Sequence, residues 1–225
     1  MAEIPNRDEL EAQLARKLGK LSRAQMGRLL ELLGDPPRVE NVPPTFWDEA
    51  GKEMVAALSP FLEKVYLEQA RRMLDDLPIG VDWALVNKRA VEWASRYTFD
   101  LVRGINDTTR DALQANVARY FEQGLTIGDL EDSIAGLFGP VRAEMISVTE
   151  ITRASTEGER AIAAELAEQG IVMRPVWNTS NDELVCPICE PRNQETIEGD
   201  DYPPAHPRCR CSTSHELIMT QAEIT

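Results

Sequence analysis

Gly170-Ile171-Val172-Met173-Arg174-Pro175-Val176-Trp177-Asn178-Thr179-Ser180-Asn181-Asp182 is the stretch at which the chain changes character. Its first part, rich in β-branched residues and ending in tryptophan, reads as a short strand, and Asn178 to Asp182 as a polar turn. Gly170 is placed to cap a preceding helix, because glycine takes the left-handed conformation that ends one. Everything upstream repeats its apolar residues at helical spacing. Everything downstream is acidic and proline-rich, with nine Asp/Glu against three Arg from Asn181 onward. The fold class this implies is mainly α with a small α+β C-terminal module: a multi-helix body, then a short strand and a Cys/His zinc-type knuckle.

Working back from Gly170, a long helix is predicted from about Arg142 to Gln169. Glu150, Arg153, Glu157 and Arg160 fall within it at spacings of three and four, a ladder of ion pairs read as a solvated face. Gly139-Pro140 breaks the chain before it. Thr126-Ile127-Gly128-Asp129 is a capping-box pattern opening a shorter helix that carries Leu130, Ile134 and Leu137 on one face. Further back, Leu113, Val117 and Tyr120 mark a helix ended by Gly124, and Asp82 caps one with Val86, Ala90, Trp93, Tyr97 and Leu101 inward. Thr45-Phe46-Trp47-Asp48 opens a helix to about Leu77, which Pro60 is expected to kink or divide. At the start, Leu10, Leu14, Leu18 and Leu21 form one stripe. Ser22-Arg23-Ala24-Gln25 reads as a new cap before Leu29, Leu30 and Leu33, and Gly34 with Pro36-Pro37 ends the segment. These stripes are core faces, not cofactor contacts.

The 225 residues are 43% hydrophobic and 28% charged, enough chain for a real core. A net charge of −14 repels phosphate backbones and argues for weak or no direct nucleic-acid binding. No apolar run approaches the roughly 20 residues that span a bilayer, and the first residues lack the basic and apolar regions of an export signal. A cytosolic setting keeps thiols reduced and favours metal over disulfides.

All four cysteines and both histidines lie between Cys186 and His215. Cys186-Pro187-Ile188-Cys189 has the two-residue gap that turns both thiolates toward one ion, and His206 and Cys209 repeat the gap. Cys209 and Cys211 share a face if extended. Cys186, Cys189 and Cys209 are assigned to a structural zinc site, with His206 and Cys211 competing for the fourth place. His215 is expected at the surface. No catalytic residue is assigned, because no His-Glu-x-x-His, phosphate loop or nucleophile motif is present.

An ordered set of features resembles the Mu F-like family of phage head-morphogenesis (minor capsid, or minor head) proteins. They are Phe121-Glu122-Gln123-Gly124, Leu125 to Leu130, Thr149-Glu150-Ile151-Thr152-Arg153-Ala154, Trp177, Thr179 and Asp182, Val185 to Cys189, and Pro203-Pro204-Ala205-His206-Pro207-Arg208-Cys209-Arg210-Cys211. The resemblance covers Thr108 to Leu217, about half the chain. It implies a head component, in the virion and in host cytoplasm during assembly, acting near the portal with portal or capsid proteins as partners. Val148 stands where the family usually carries arginine, and Glu190 to Thr196 lacks its usual Leu-x-Gly. The domains expected are a helical N-terminal region, residues 1–105, and a head-morphogenesis-like region, 106–225, with the zinc-type module at 171–217. The amphipathic helix from Arg7 to Leu33 is the expected docking element. Two other functions compete: a zinc-dependent enzyme such as a nuclease, and a DNA-contacting zinc module using Lys88, Arg89, Arg96, Arg103, Arg110 and Arg119.

Overall fold

The computed structural model describes residues 4–75, 81–180 and 185–219. Among these run α1 (Arg7–Leu33), α2 (Pro44–Asp75), α3 (Trp83–Gln123), α4 (Ile127–Phe138) and α5 (Pro140–Glu168). They are followed by β1 (Val172–Asn178) and β2 (Ser212–Met219). The strands pair antiparallel, Trp177 opposite Thr213 and Pro175 opposite His215, with one irregularity between Val172 and Met173. The mainly α body with a small α+β end is therefore what forms.

Helix ends follow from local chemistry. Gly124 and Gly170 have φ of 60° and 80°, and the next residues close the motif: Leu125 N–H reaches the Tyr120 carbonyl at 3.0 Å, and Ile171 N–H reaches Leu166 at 2.9 Å. At the start of α4, Asp129 N–H donates to Thr126 Oγ1 at 3.2 Å and Thr126 N–H returns to the Asp129 carboxylate at 2.8 Å. Hydrogen bonds from the Thr126 hydroxyl and backbone hold the Asp129 carboxyl below the ordinary carboxylate range. Asp82 caps α3 by accepting from the N–H groups of Ala84 and Leu85.

Three punctuation marks behave differently from the sequence expectation. α1 runs on through Ser22, because Gln25 is buried and its amide donates to the Ala50 carbonyl at 3.1 Å and to Glu53 at 3.2 Å. That tertiary use displaces the capping box. α2 is not divided at Pro60, and the two helices expected between Asp82 and Gly124 are one of 41 residues. Between Leu101 and Leu113 there is no proline, and Gly104 costs about 1 kcal/mol, too little to break the helix. The expected end of α2 at Leu77 lies outside the described residues.

The chain condenses into two compact units. One comprises Met1–Glu11, Phe61–Ala94 and Ile146–Thr225, the other Ala12–Pro60 and Ser95–Met145. Residue 105, the boundary expected from sequence, lies inside α3, and neither unit is a continuous piece of chain. In the second unit Leu29 and Leu33, Phe46, Leu113 and Val117, and Leu130, Ile134 and Phe138 form a shared core. The apolar stripe of α1 is thus spent inside the protein, with Leu14 and Leu29 fully buried. It is not a free face for docking, which removes that part of the docking expectation.

In the first unit Ala70 and Leu74 of α2, Val86 of α3, and Ile162 and Leu166 of α5 pack together. Gly158 lets α5 close onto α2: a Cβ there would collide with the Tyr66 carbonyl oxygen and lie 3.0 Å from its carbon. The ion-pair ladder of α5 is present as Glu150–Arg153 at 3.7 Å and Glu157–Arg160 at 3.1 Å. It is not a solvated face, however, since Glu150 is buried and Arg160 also reaches Asp200 at 2.8 Å.

Candidate metal centre

Two tight turns build the cluster. Within Cys186-Pro187-Ile188-Cys189 the N–H groups of Cys189 and Glu190 both reach the Cys186 carbonyl at 3.0 Å. The second turn closes with Cys209 N–H on the His206 carbonyl at 3.1 Å, and Arg208 takes a left-handed φ of 63° to allow it. Cys211 directly precedes β2.

The turns bring five donors together in two triads that share Cys189: Cys186, Cys189 and His206, and Cys189, Cys209 and Cys211. His206 Nε2 lies 3.0 Å from Cys186 Sγ and 3.2 Å from Cys189 Sγ, and the Cys189 and Cys209 sulfurs are 3.9 Å apart. All four thiols are free, and Cys189, Cys209 and Cys211 are buried. Trp177 and Ile197 pack against them, with Tyr202 at the edge. Arg192 covers the Trp177 ring at 4.9 Å.

These residues fit a tetrahedral thiophilic ion. With metal–sulfur bonds of about 2.3 Å, two sulfurs of one tetrahedron stand about 3.8 Å apart, close to the separation of Cys189 and Cys209. The His206 ring is also oriented for ligation. Its Nδ1 is 2.8 Å from the Pro207 carbonyl, which takes the ring proton and leaves the Nε2 lone pair toward the sulfurs.

Electrostatics separate the thiols. The Cys211 thiol donates to Cys209, and this, against burial and with backbone N–H groups helping, brings Cys209 down to about 5. The same donation and burial raise Cys211. Burial and the neighbouring Cys209 charge push Cys189 up to about 12. For Cys186 desolvation is outweighed by backbone N–H groups and His206, and its pKa falls. His206 is raised by its bond to Pro207, against desolvation, and by the sulfur charges.

α5 supplies the seat. Thr152 Oγ1 donates to the Cys209 carbonyl at 2.7 Å, and Arg208 N–H donates to Thr149 Oγ1 at 2.9 Å. All five donors named from sequence are thus in the cluster. His215 is not in it, and it is not at the surface: its side chain is 3% exposed beside Glu159. The reason is β2, which the sequence reading missed. Alternation places Cys211, Thr213 and His215 on one buried face of the extended segment from Cys211 into β2, and that alternation was the available signal. The threonines on α5 were visible as letters but carried no role, and Arg7, described below, gave no signal.

Comparison with known proteins finds no matching family model, no curated protein and no solved structure. Among the described residues no helix is long and apolar enough to cross a membrane.

Proposed function

We propose that this chain is a structural minor head protein of a phage or prophage, acting in head assembly and packaging near the portal, and that its cysteine cluster holds a structural zinc. The observation that supports the metal is the approach of His206 Nε2 to the Cys186 and Cys189 sulfurs, with the imidazole's other nitrogen already engaged and Cys209 next to Cys189. Cys186, Cys189, His206 and Cys209 are the ligands in this reading. Cys211, beside Cys189 and Cys209 in the second triad, is a neighbour of the site in this reading, not its fourth ligand.

Four protein ligands close the shell of a tetrahedral ion, which suits a staple rather than a catalyst. Bound zinc would supply folding free energy to a segment with little apolar surface of its own. The resemblance of the Pro203 to Cys211 string and the α5 threonines to head-morphogenesis proteins supports the assembly role. Portal or capsid proteins are the partners it implies.

The enzyme reading has no support from a sequence motif, since no His-Glu-x-x-His, phosphate loop or nucleophile motif is present. The DNA reading is weakened by the partners its basic residues already have. Arg89 pairs with Glu165 at 2.8 Å, Arg103 with Asp100 at 3.1 Å and Lys88 with Glu92 at 3.9 Å, while Arg110 covers Trp47.

Co-expression with the portal protein of the same genome, followed by pull-down and elemental analysis, tests the proposal. About one zinc per chain and co-purification with portal or capsid protein are expected. Absence of the chain from purified particles, together with submicromolar duplex DNA binding at physiological salt, would overturn the assembly role.

A further inference from the structure

The hydrogen bonds behind Cys209 lead to the other end of the chain. Arg7, in the first turn of α1, is 9% exposed. Its Nε donates to Glu11 at 2.6 Å, its Nη1 to the Arg210 carbonyl at 2.7 Å and its Nη2 to Thr152 Oγ1 at 2.5 Å. Thr152 passes the contact on to the Cys209 carbonyl. The two successive carbonyls between Cys209 and Cys211 are therefore held through one buried guanidinium. Arg210 returns to the same helical turn, bonding Asp8 and lying 3.6 Å from Glu11.

We infer that Arg7 is a positioning residue of the metal centre: through Thr152 and the Arg210 carbonyl it fixes the backbone carrying Cys209, so that metal occupancy and docking of the first turn of α1 are coupled. A buried guanidinium is costly unless its donors are used, and here three directions of the fork are taken by three acceptors. A lysine ammonium at the end of its flexible stem cannot reproduce that planar fork. Groups that hold ligands from behind typically change metal affinity by about 10–100-fold when removed. The coupling is reciprocal: whatever factor Arg7 contributes to metal affinity, bound metal returns to the stability of the α1 turn.

This inference rests on the reading of the cluster as a metal site, and the experiment separates the two. Zinc affinity of the full chain is measured by competition with a chromophoric chelator. Arg7→Lys and Arg7→Ala are expected to weaken binding by about 10–100-fold. Thr152→Val, which keeps the shape and removes the hydroxyl, is expected to do the same, and Thr152→Ser to restore wild-type affinity. Arg89→Ala, which breaks the pair with Glu165, is the control for general destabilisation and should leave zinc affinity unchanged. Hydrogen exchange at residues 7–11 should slow when wild-type protein takes up zinc.

Affinities within twofold of wild type for both Arg7→Lys and Thr152→Val, in protein that still binds zinc, would overturn the positioning role alone. A wild-type chain that binds no zinc would sink the metal reading and this inference with it. If the Arg7 variants fail to fold, the Thr152→Val and Thr152→Ser pair decides.

Discussion

His215 Nδ1 lies 3.5 Å from Glu159 Oε2, and both side chains are 3% exposed. Glu159 also accepts from Gln69 Nε2 at 2.5 Å and from the Thr213 hydroxyl. One buried carboxylate on α5 therefore ties β2 to α2. Removing it leaves a buried amide and a buried hydroxyl without their acceptor. Glu159→Ala is expected to lower unfolding stability by about 3 kcal/mol, and Glu159→Gln by less, since an amide oxygen still accepts. Urea titration measures both. A loss below about 1 kcal/mol for the alanine variant would show that the carboxylate does not hold the hairpin.

Gly158 supplies a second test, of packing alone. With the Tyr66 carbonyl where a Cβ would go, Gly158→Ala must push α5 off α2. The usual helix-propensity gain of about 1 kcal/mol is outweighed, and a net loss of about 2 kcal/mol or more is expected in thermal or urea unfolding. A stabilised alanine variant would mean the helices approach less closely than described.

The ligand assignment separates the two candidates for the fourth place. His206→Ala should lose most of the zinc, whereas Cys211→Ser should keep close to one equivalent. Elemental analysis after gel filtration reads the difference. The opposite pattern, with Cys211→Ser empty and His206→Ala loaded, would move the fourth ligand to Cys211.

Acid should release the metal, and the direction follows from the thiols. In the metal-free protein Cys189 stands at about 12, so a proton occupies that donor and zinc must displace it, and the raised His206 makes protons compete better for its ring. Cys209, at about 5, is already a thiolate at neutral pH and adds no proton there. Zinc affinity should therefore fall as pH falls, by about tenfold per pH unit for each proton displaced. Calorimetry in buffers of different ionisation enthalpy counts those protons. An affinity that is flat between about pH 8 and pH 6 would contradict the arrangement.

Much of this fold is legible because its signals are local. The capping box of Thr126 and Asp129 and the stops at Gly124 and Gly170 each act within a few residues, and each forms as the letters imply. The paired turns of the cysteine cluster are legible for the same reason. What was hidden depends on distant partners. Ser22 looks like a cap until Gln25 is seen reaching Ala50, and His215 looks exposed until β2 pairs with β1 and turns it toward Glu159. Arg7 in a charged first turn looks like any solvated arginine. Only the return of a segment 203 positions away makes it part of the site.

That same separation orders events in time. Arg7 and Arg210 are 203 positions apart, and at about 5–20 residues per second a ribosome needs roughly 10 to 40 s between them. Throughout that interval the guanidinium has neither the Arg210 carbonyl nor the Cys209 loop to hold. The α1 turn must wait in water until the cysteines emerge. The cluster and the turn then close together, as a late event of biosynthesis that a truncated translation product could not complete.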